Sequence, residues 1–401
     1  MKIVVISGGF GQQNLQALPW KYAYEISKYL AQKKHNVYIL TDSSKSCSIN
    51  YNKYRIPIIG YGASLPLLNR NKTLLKTLNL IKPDAVYYFS SPIGDFKLKY
   101  LKLKVPIILH VSHSIQGVST YLRANPTLIG ISELLQGKLI ADSYGLSRIF
   151  RRLTISKLEL KVMATTKAVA ESLSKIGFNE LKIKTLPLVV DEQFLKFKEE
   201  KRCKVRENYG FTEDDFVVTY FGGCNPKKGV LELVSVAPMI RKKITLFKML
   251  LLLRPPSSKD YLYHVKQRIL ENKCRDYVIV VNKLLELNDL INILTFSDMV
   301  VLPFKYLDDE PPLTLLEAMT LGKVVITTNI GPTKYIVGED RGVILTHLSQ
   351  TTITDAIYNI YKNESRRHYI ERNAKNFART NFVNWHTLAN IVERELLIDS
   401  L

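Results

Sequence analysis

Asp309 and Glu317 stand eight positions apart in the segment Asp308-Asp309-Glu310-Pro311-Pro312-Leu313-Thr314-Leu315-Leu316-Glu317. Two prolines fix the loop, and a helix is expected from about Leu313 to Leu321. Its first-turn N–H groups, near Thr314 and Leu315, can hold a diphosphate. Asp309 in the loop and Glu317 in the helix can then accept hydrogen bonds from ligand hydroxyls on either side of it. The plainer alternative is that Asp308–Glu310 only caps the helix. A second group is His110 and His113, which flank Val111-Ser112 where an apolar run ends. A histidine at a strand end can bind substrate or transfer a proton, and His113 is preferred because it sits in the loop. A third is Ser7-Gly8-Gly9-Phe10-Gly11-Gln12-Gln13-Asn14, an incomplete dinucleotide fingerprint. It is either a Gly-rich turn at a strand end or a backbone loop over a phosphate or sugar, with Gly9 at its centre.

These residues need elements to hold them, and the chain alternates β-rich runs with amphipathic helices. Strands are expected at Lys2–Ser7, Val37–Thr41, Ala85–Phe89 and Pro106–Val111, with helices at Pro19–Lys34 and Val162–Lys175. A charged stretch from Glu192 to Tyr209 reads as an interdomain junction, after which the alternation restarts. Strands follow at Phe216–Phe221, Leu246–Leu253, Tyr277–Val281, Met299–Pro303 and Val324–Thr328, with helices at Tyr261–Glu271, Leu287–Leu294 and Leu313–Leu321. Polar helices are expected at Thr352–Lys362 and about Arg366–Leu397. Repeated βα units predict an α/β protein of two facing, Rossmann-like, doubly wound parallel-sheet domains. Ligands of such sheets bind outside the carboxyl ends of the strands. That rule selects the loops at Gly8-Gly9, His110–Ser114, Gly222–Gly229, Arg254–Ser258 and Lys305–Pro312.

The 401 residues exceed what one core usually supports, so two domains are expected. Apolar runs such as Met249–Leu253 are too short to cross a bilayer. The N-terminal stretch has neither the apolar length nor the cleavage site of a signal peptide. Cys47, Cys203, Cys224 and Cys274 have no paired spacing, so no disulfide framework or metal site is implied. Lys and Arg number 57 against 36 Asp and Glu, a formal charge of +21. Residues 1–200 carry +16 of it, in stretches such as Lys97–Lys104 and Arg148–Arg152. Such a surface attracts polyanions, and an anionic membrane face is one expected partner. No zinc-finger, RNA-binding or basic-zipper pattern occurs, so no nucleic acid is expected.

Taken together, the chain resembles the retaining glycosyltransferases of family 4, in the two-Rossmann-domain GT-B class. The resemblance rests on Leu30–Val37, Ala164–Ala170, Leu186–Asp191, Tyr220-Phe221-Gly222-Gly223, Lys228-Gly229 and Ser297–Pro303. Its most specific piece is the acidic pair with Leu315-Leu316-Glu317-Ala318-Met319 and Gly322. It implies transfer of a sugar from a nucleotide-diphosphate sugar to a lipid-linked, polysaccharide or glycan acceptor, without a metal or other cofactor. By that resemblance Glu317 takes the nucleotide ribose, Asp309 contacts the sugar, and Lys228 neutralises the diphosphate. Amides near Thr314 and Leu315 hold the diphosphate, with Gly9 across the cleft. The first acid is usually glutamate, and Glu310 would replace Asp309 by a one-residue shift. The family's usual arginine five positions before Lys228 is Gly223 here, and Arg254 is expected to restore its charge. The domains implied are residues 1–190 for the acceptor, 191–365 for the nucleotide sugar, and 366–401 as helices packing back on the first. The expected location is cytoplasmic, peripheral to the membrane face. A nucleotide-sugar epimerase of the same fold and a non-catalytic nucleotide-sugar-binding partner are the alternatives.

Overall fold

The computed structural model describes residues 1–11, 14–43, 46–62, 67–90, 105–113, 160–175, 177–197, 206–255 and 259–398. The basic stretches Lys97–Lys104 and Arg148–Arg152, Gln12-Gln13, Ser114, Ser258 and the middle of the charged junction lie outside them. The chain divides into two compact units: one runs up to Pro187 and resumes at Val383, and the other spans Leu188–Phe382.

In the first unit the strands are β1 (Lys2–Ile6), β2 (Asn36–Thr41), β3 (Cys47–Tyr51), β4 (Tyr54–Gly60), β5 (Ala85–Phe89), β6 (Ile107–Val111), β7 (Lys161–Ala164) and β8 (Ile183–Thr185). They form one sheet in the order β3-β4-β2-β1-β5-β6-β7-β8. All neighbours are parallel except the β3–β4 hairpin, which turns at Asn52 with a positive φ of 51°. The order reverses between β1 and β5, both parallel to each other, so the Gly8-Gly9 turn sits at a topological switch point. Two sequence expectations change here. Val162–Ala164 is strand, paired with Leu109–Val111 of β6, and the helix starts only at Lys167. Thr166 caps it, its hydroxyl accepting the Val169 amide at 3.1 Å. The polar C-terminal helix is two helices, Glu364–Asn381 and Trp385–Ile398, separated by Phe382–Asn384. Asn384 caps the second by accepting the Thr387 amide at 2.8 Å. No proline or glycine marks that break, only the capping Asn384.

Helix Trp385–Ile398 belongs to the first unit. Tyr29 donates to Asn390 and Glu393 at 3.1 and 3.2 Å, and His35 meets Glu393 at 2.8 Å. Glu395 pairs with Lys184 at 2.6 Å and Lys161 at 3.6 Å. The Lys184 hydrogen bond is the main reason that its carboxyl is held below the usual range.

β9 (Leu188–Val190) opens the second unit. Its main strands are β10 (Phe216–Gly223), β11 (Phe247–Arg254), β12 (Val278–Val281), β13 (Met299–Leu302), β14 (Val324–Thr328) and β15 (Val343–Leu345). Their order is β12-β11-β10-β13-β14-β15, with the reversal between β10 and β13. Every recorded neighbour is parallel. Val217, Val218, Leu250, Leu251, Val300, Val301 and Val325 are fully buried. That is why the inner strands are mostly apolar along their length rather than alternating: helices cover both faces.

Candidate functional site

In the second unit, backbone packing sets the spacing of the charged groups. Gly229 ends a 3-10 turn, Pro226–Lys228, with φ of 73°, and a Cβ there would lie 2.0 Å from the Pro303 carbonyl oxygen. Only glycine fits, so the turn is pressed onto the end of β13. This brings the Lys228 ammonium over the Phe304 ring, 5.5 Å from its centroid. Lys228 is partly buried, and burial is the main reason that its pKa falls. Asp308 and Asp309 act to restore its proton, and Lys227 and Arg254 oppose them.

Arg254 is the exposed last residue of β11, and its register partner on β10 is Gly223. The guanidinium therefore leaves a strand end directly beside the glycine, near enough to act on Lys228. Tyr220 donates to the Gly223 carbonyl at 2.7 Å and holds the end of β10 in shape.

The acidic segment resolves into three different carboxylates. Asp308 is exposed and pairs with Lys227 at 2.7 Å. Asp309 is half-buried and acts on Lys228. Glu310 is fully buried, and a Cβ on Gly331 would lie 2.6 Å from its Oε1. Glu310 is thus packed inward, which corrects its placement as a group that meets substrate. Asp309 is the acid left facing the charged cluster.

The helix begins at Leu313, as the prolines required, and no side chain caps its entry. The Leu315 amide donates to the Pro312 carbonyl at 3.0 Å, and its side chain is fully buried. Leu315 is therefore part of the helix rather than a ligand donor, a second correction; the open entry lies at Leu313 and Thr314. A Cβ on Gly222 would lie 3.6 Å from the Thr314 methyl, so the end of β10 touches the helix's first turn. Glu317 follows one turn later on the same face, 9% exposed.

In the first unit, the Gly8–Gly11 turn is held from several sides. Asp42 accepts the Gly9 amide at 2.6 Å, Thr41 that of Phe10 at 3.0 Å, and Asn14 that of Gly11 at 3.0 Å. The Trp20 indole donates to Gly8 at 2.8 Å, and a Cβ on Gly9 would meet its ring at 3.3 Å. Gly9 thus has a clear structural task, and its amide already has an anionic acceptor. His110 is 1% exposed, packed against Phe89 and Tyr22 with ring centroids 4.4 and 4.8 Å away, its Nδ1 2.8 Å from the Tyr87 hydroxyl. Burial pushes its pKa down to about 3, so it stays neutral at physiological pH. His110 belongs to the core, a correction to its reading as a substrate-binding group. His113 lies past the end of β6 and is half-buried.

Residue-type patterns missed Asp42, Trp20 and the Lys227–Asp308 pair. The one available signal was adjacency: each member of that pair is the chain neighbour of a chosen residue.

Two family models divide the chain. The one described as Glycosyltransferase Family 4 matches residues 20–194, and Glycosyl transferases group 1 matches residues 201–377. No curated protein sequence matches. Among solved structures, sucrose-phosphate synthase from Thermosynechococcus elongatus is similar at 16% identity, TM-score 0.76, covering 99% of each chain. HepE from Anabaena, in complex with UDP and glucose, is similar at 14% identity and TM-score 0.71, covering 99% of this chain and 100% of that one. WaaG, a glycosyltransferase involved in lipopolysaccharide biosynthesis, gives 15% and 0.71, with 100% and 99% covered. At these identities the structural likeness is one of fold.

Proposed function

We propose that this chain, which belongs to the family 4 and group 1 glycosyltransferases, moves a sugar from a nucleoside-diphosphate sugar to a lipid-linked or glycan acceptor, with retention of configuration. The observation that carries the donor reading is the convergence, at the carboxyl ends of β10, β11 and β13, of Lys228, Arg254, Asp309 and the open entry of the Glu317 helix. HepE, solved with UDP-glucose, makes that nucleotide sugar the first donor to test.

In this reading Lys228, Arg254 and the helix entry at Thr314 face the diphosphate. They stabilise the negative charge that grows as the bond between the anomeric carbon and the phosphate oxygen breaks. The acceptor hydroxyl forms the new bond to that carbon, and its proton leaves with the nucleoside diphosphate. Asp309 accepts hydrogen bonds from the sugar hydroxyls and Glu317 from the ribose. In this reading Lys228 and Arg254 supply the charge stabilisation, so turnover is expected to be metal-independent. Release of nucleoside diphosphate from UDP-glucose with acceptor present is expected to survive EDTA. Loss of turnover in EDTA with recovery in manganese would contradict it.

The acceptor reading draws on charge. Among the described residues no helix is long and apolar enough to cross a membrane. The helix Leu67–Ile81 has no acidic residue, carries Arg70, Lys72 and Lys76, and is followed by Lys82. Lys72 and Lys76 are exposed, and Leu80 beside them is 75% exposed. A basic face with a protruding leucine suits an anionic bilayer on the cytoplasmic side. Sedimentation with phosphatidylglycerol vesicles is expected at low salt and to weaken as salt rises, with no binding to phosphatidylcholine alone. Equal binding to both vesicle types would remove the charge argument.

A further inference from the structure

Resting on that donor-site reading, we propose that Lys227 and Asp308 form a positioning pair, which bolts the lysine turn to the acidic loop and supplies the countercharge beside the Lys228 ammonium. The two segments meet at several points. The Lys227 carbonyl accepts the amides of Lys305 and Tyr306 at 2.8 and 3.1 Å. Its ammonium reaches Asp308 at 2.7 Å and sits over the Tyr306 ring, 5.6 Å from the centroid. The Lys227 side chain is only 12% exposed, against 42% for Asp308. Lys228 and Asp309 are the next residues along each segment, so the bolt fixes their spacing before any ligand arrives.

An exposed ion pair contributes little to stability by itself. Here its weight falls on a neighbour. Burial disfavours the charged form of Lys228, and Lys227 and Arg254 add repulsion. Asp308 is the largest opposing influence, ahead of Asp309 from the same loop. Asp308 therefore offsets Lys227 and supports Lys228 at once. A lysine placed next to a phosphate-binding lysine would otherwise weaken it. A diphosphate binds the ammonium form, so affinity falls as pH rises through the Lys228 pKa, and removing Asp308 moves that fall to lower pH.

The test uses the full chain, with pulsed acetic anhydride labelling of Lys228 across pH and read-out by mass spectrometry. In Asp308→Asn, which keeps the shape and removes the charge, the Lys228 midpoint is expected to fall by about half a pH unit or more, labelling it about threefold faster below the midpoint. Asp308→Glu is expected to restore the wild-type midpoint, and Asp309→Asn to move it less than Asp308→Asn. The alkaline limb of UDP binding should shift the same way. An unchanged midpoint in Asp308→Asn would overturn the pair's role. Absence of UDP binding to the wild-type chain would instead count against the donor-site reading, since the labelling needs no ligand.

Discussion

Glu317→Ala is expected to weaken nucleoside diphosphate binding by roughly ten- to a hundredfold. The side chain is 9% exposed, one turn into a helix whose entry touches the end of β10 through Thr314 and Gly222. A hydrogen bond from a ribose hydroxyl to a carboxylate contributes about 1.5–3 kcal/mol, which gives that range. Glu317→Gln separates charge from shape: it keeps the volume and one acceptor, and is expected to fall between the two. Unfolding midpoints of both variants tell lost contacts from a collapsed helix. Isothermal titration is the measurement. An alanine variant that is folded and binds as tightly as wild type would remove Glu317 from the site.

Asp309→Ala is expected to behave in the opposite way. Bare nucleoside diphosphate should bind within about threefold of wild type, because Asp309 meets the sugar and only tempers Lys228. Transfer should fall by about a hundredfold or more, the scale of removing one group that orients or stabilises the reacting centre. The structure sharpens the choice of residue: Glu310 is sealed against Gly331, whereas Asp309 faces the cations. Glu310→Gln should therefore act on stability, and Asp309→Asn on kcat. Initial rates of nucleotide release at saturating donor decide between them. A silent Asp309→Ala with an inactive, folded Glu310→Gln would reverse the assignment.

The second unit was the more legible half. The centres of its inner strands are apolar because both faces are covered, and Val217-Val218, Leu250-Leu251 and Val300-Val301 announce that in the sequence. The β3–β4 hairpin was not foreseen. Cys47–Tyr51 is short and partly exposed, the next strand carries Pro57 within it, and only the Asn52-Lys53 turn hints at pairing. Val162–Ala164 joined a helical pattern by spacing, yet tertiary pairing with β6 made it strand.

At the site, residues chosen for their type and position divide by burial. Asp309 and Arg254, chosen from separate loops, both act electrostatically on Lys228. His110 and Glu310 looked equally chemical in one dimension. Strand alternation turns the first into an aromatic core, and the second packs against a glycine that leaves room for it. Which neighbour of a motif faces inward depends on the pleat and the loop's path, and residue type does not encode that.

Calorimetric titration with UDP-glucose and with UDP, on wild type and Glu317→Ala in parallel, tests the donor-site account most directly. Saturable binding of both ligands to wild type is expected, with a roughly ten- to hundredfold loss of both in the variant. Indistinguishable affinities in the two proteins, or binding of neither ligand by wild type, would contradict it.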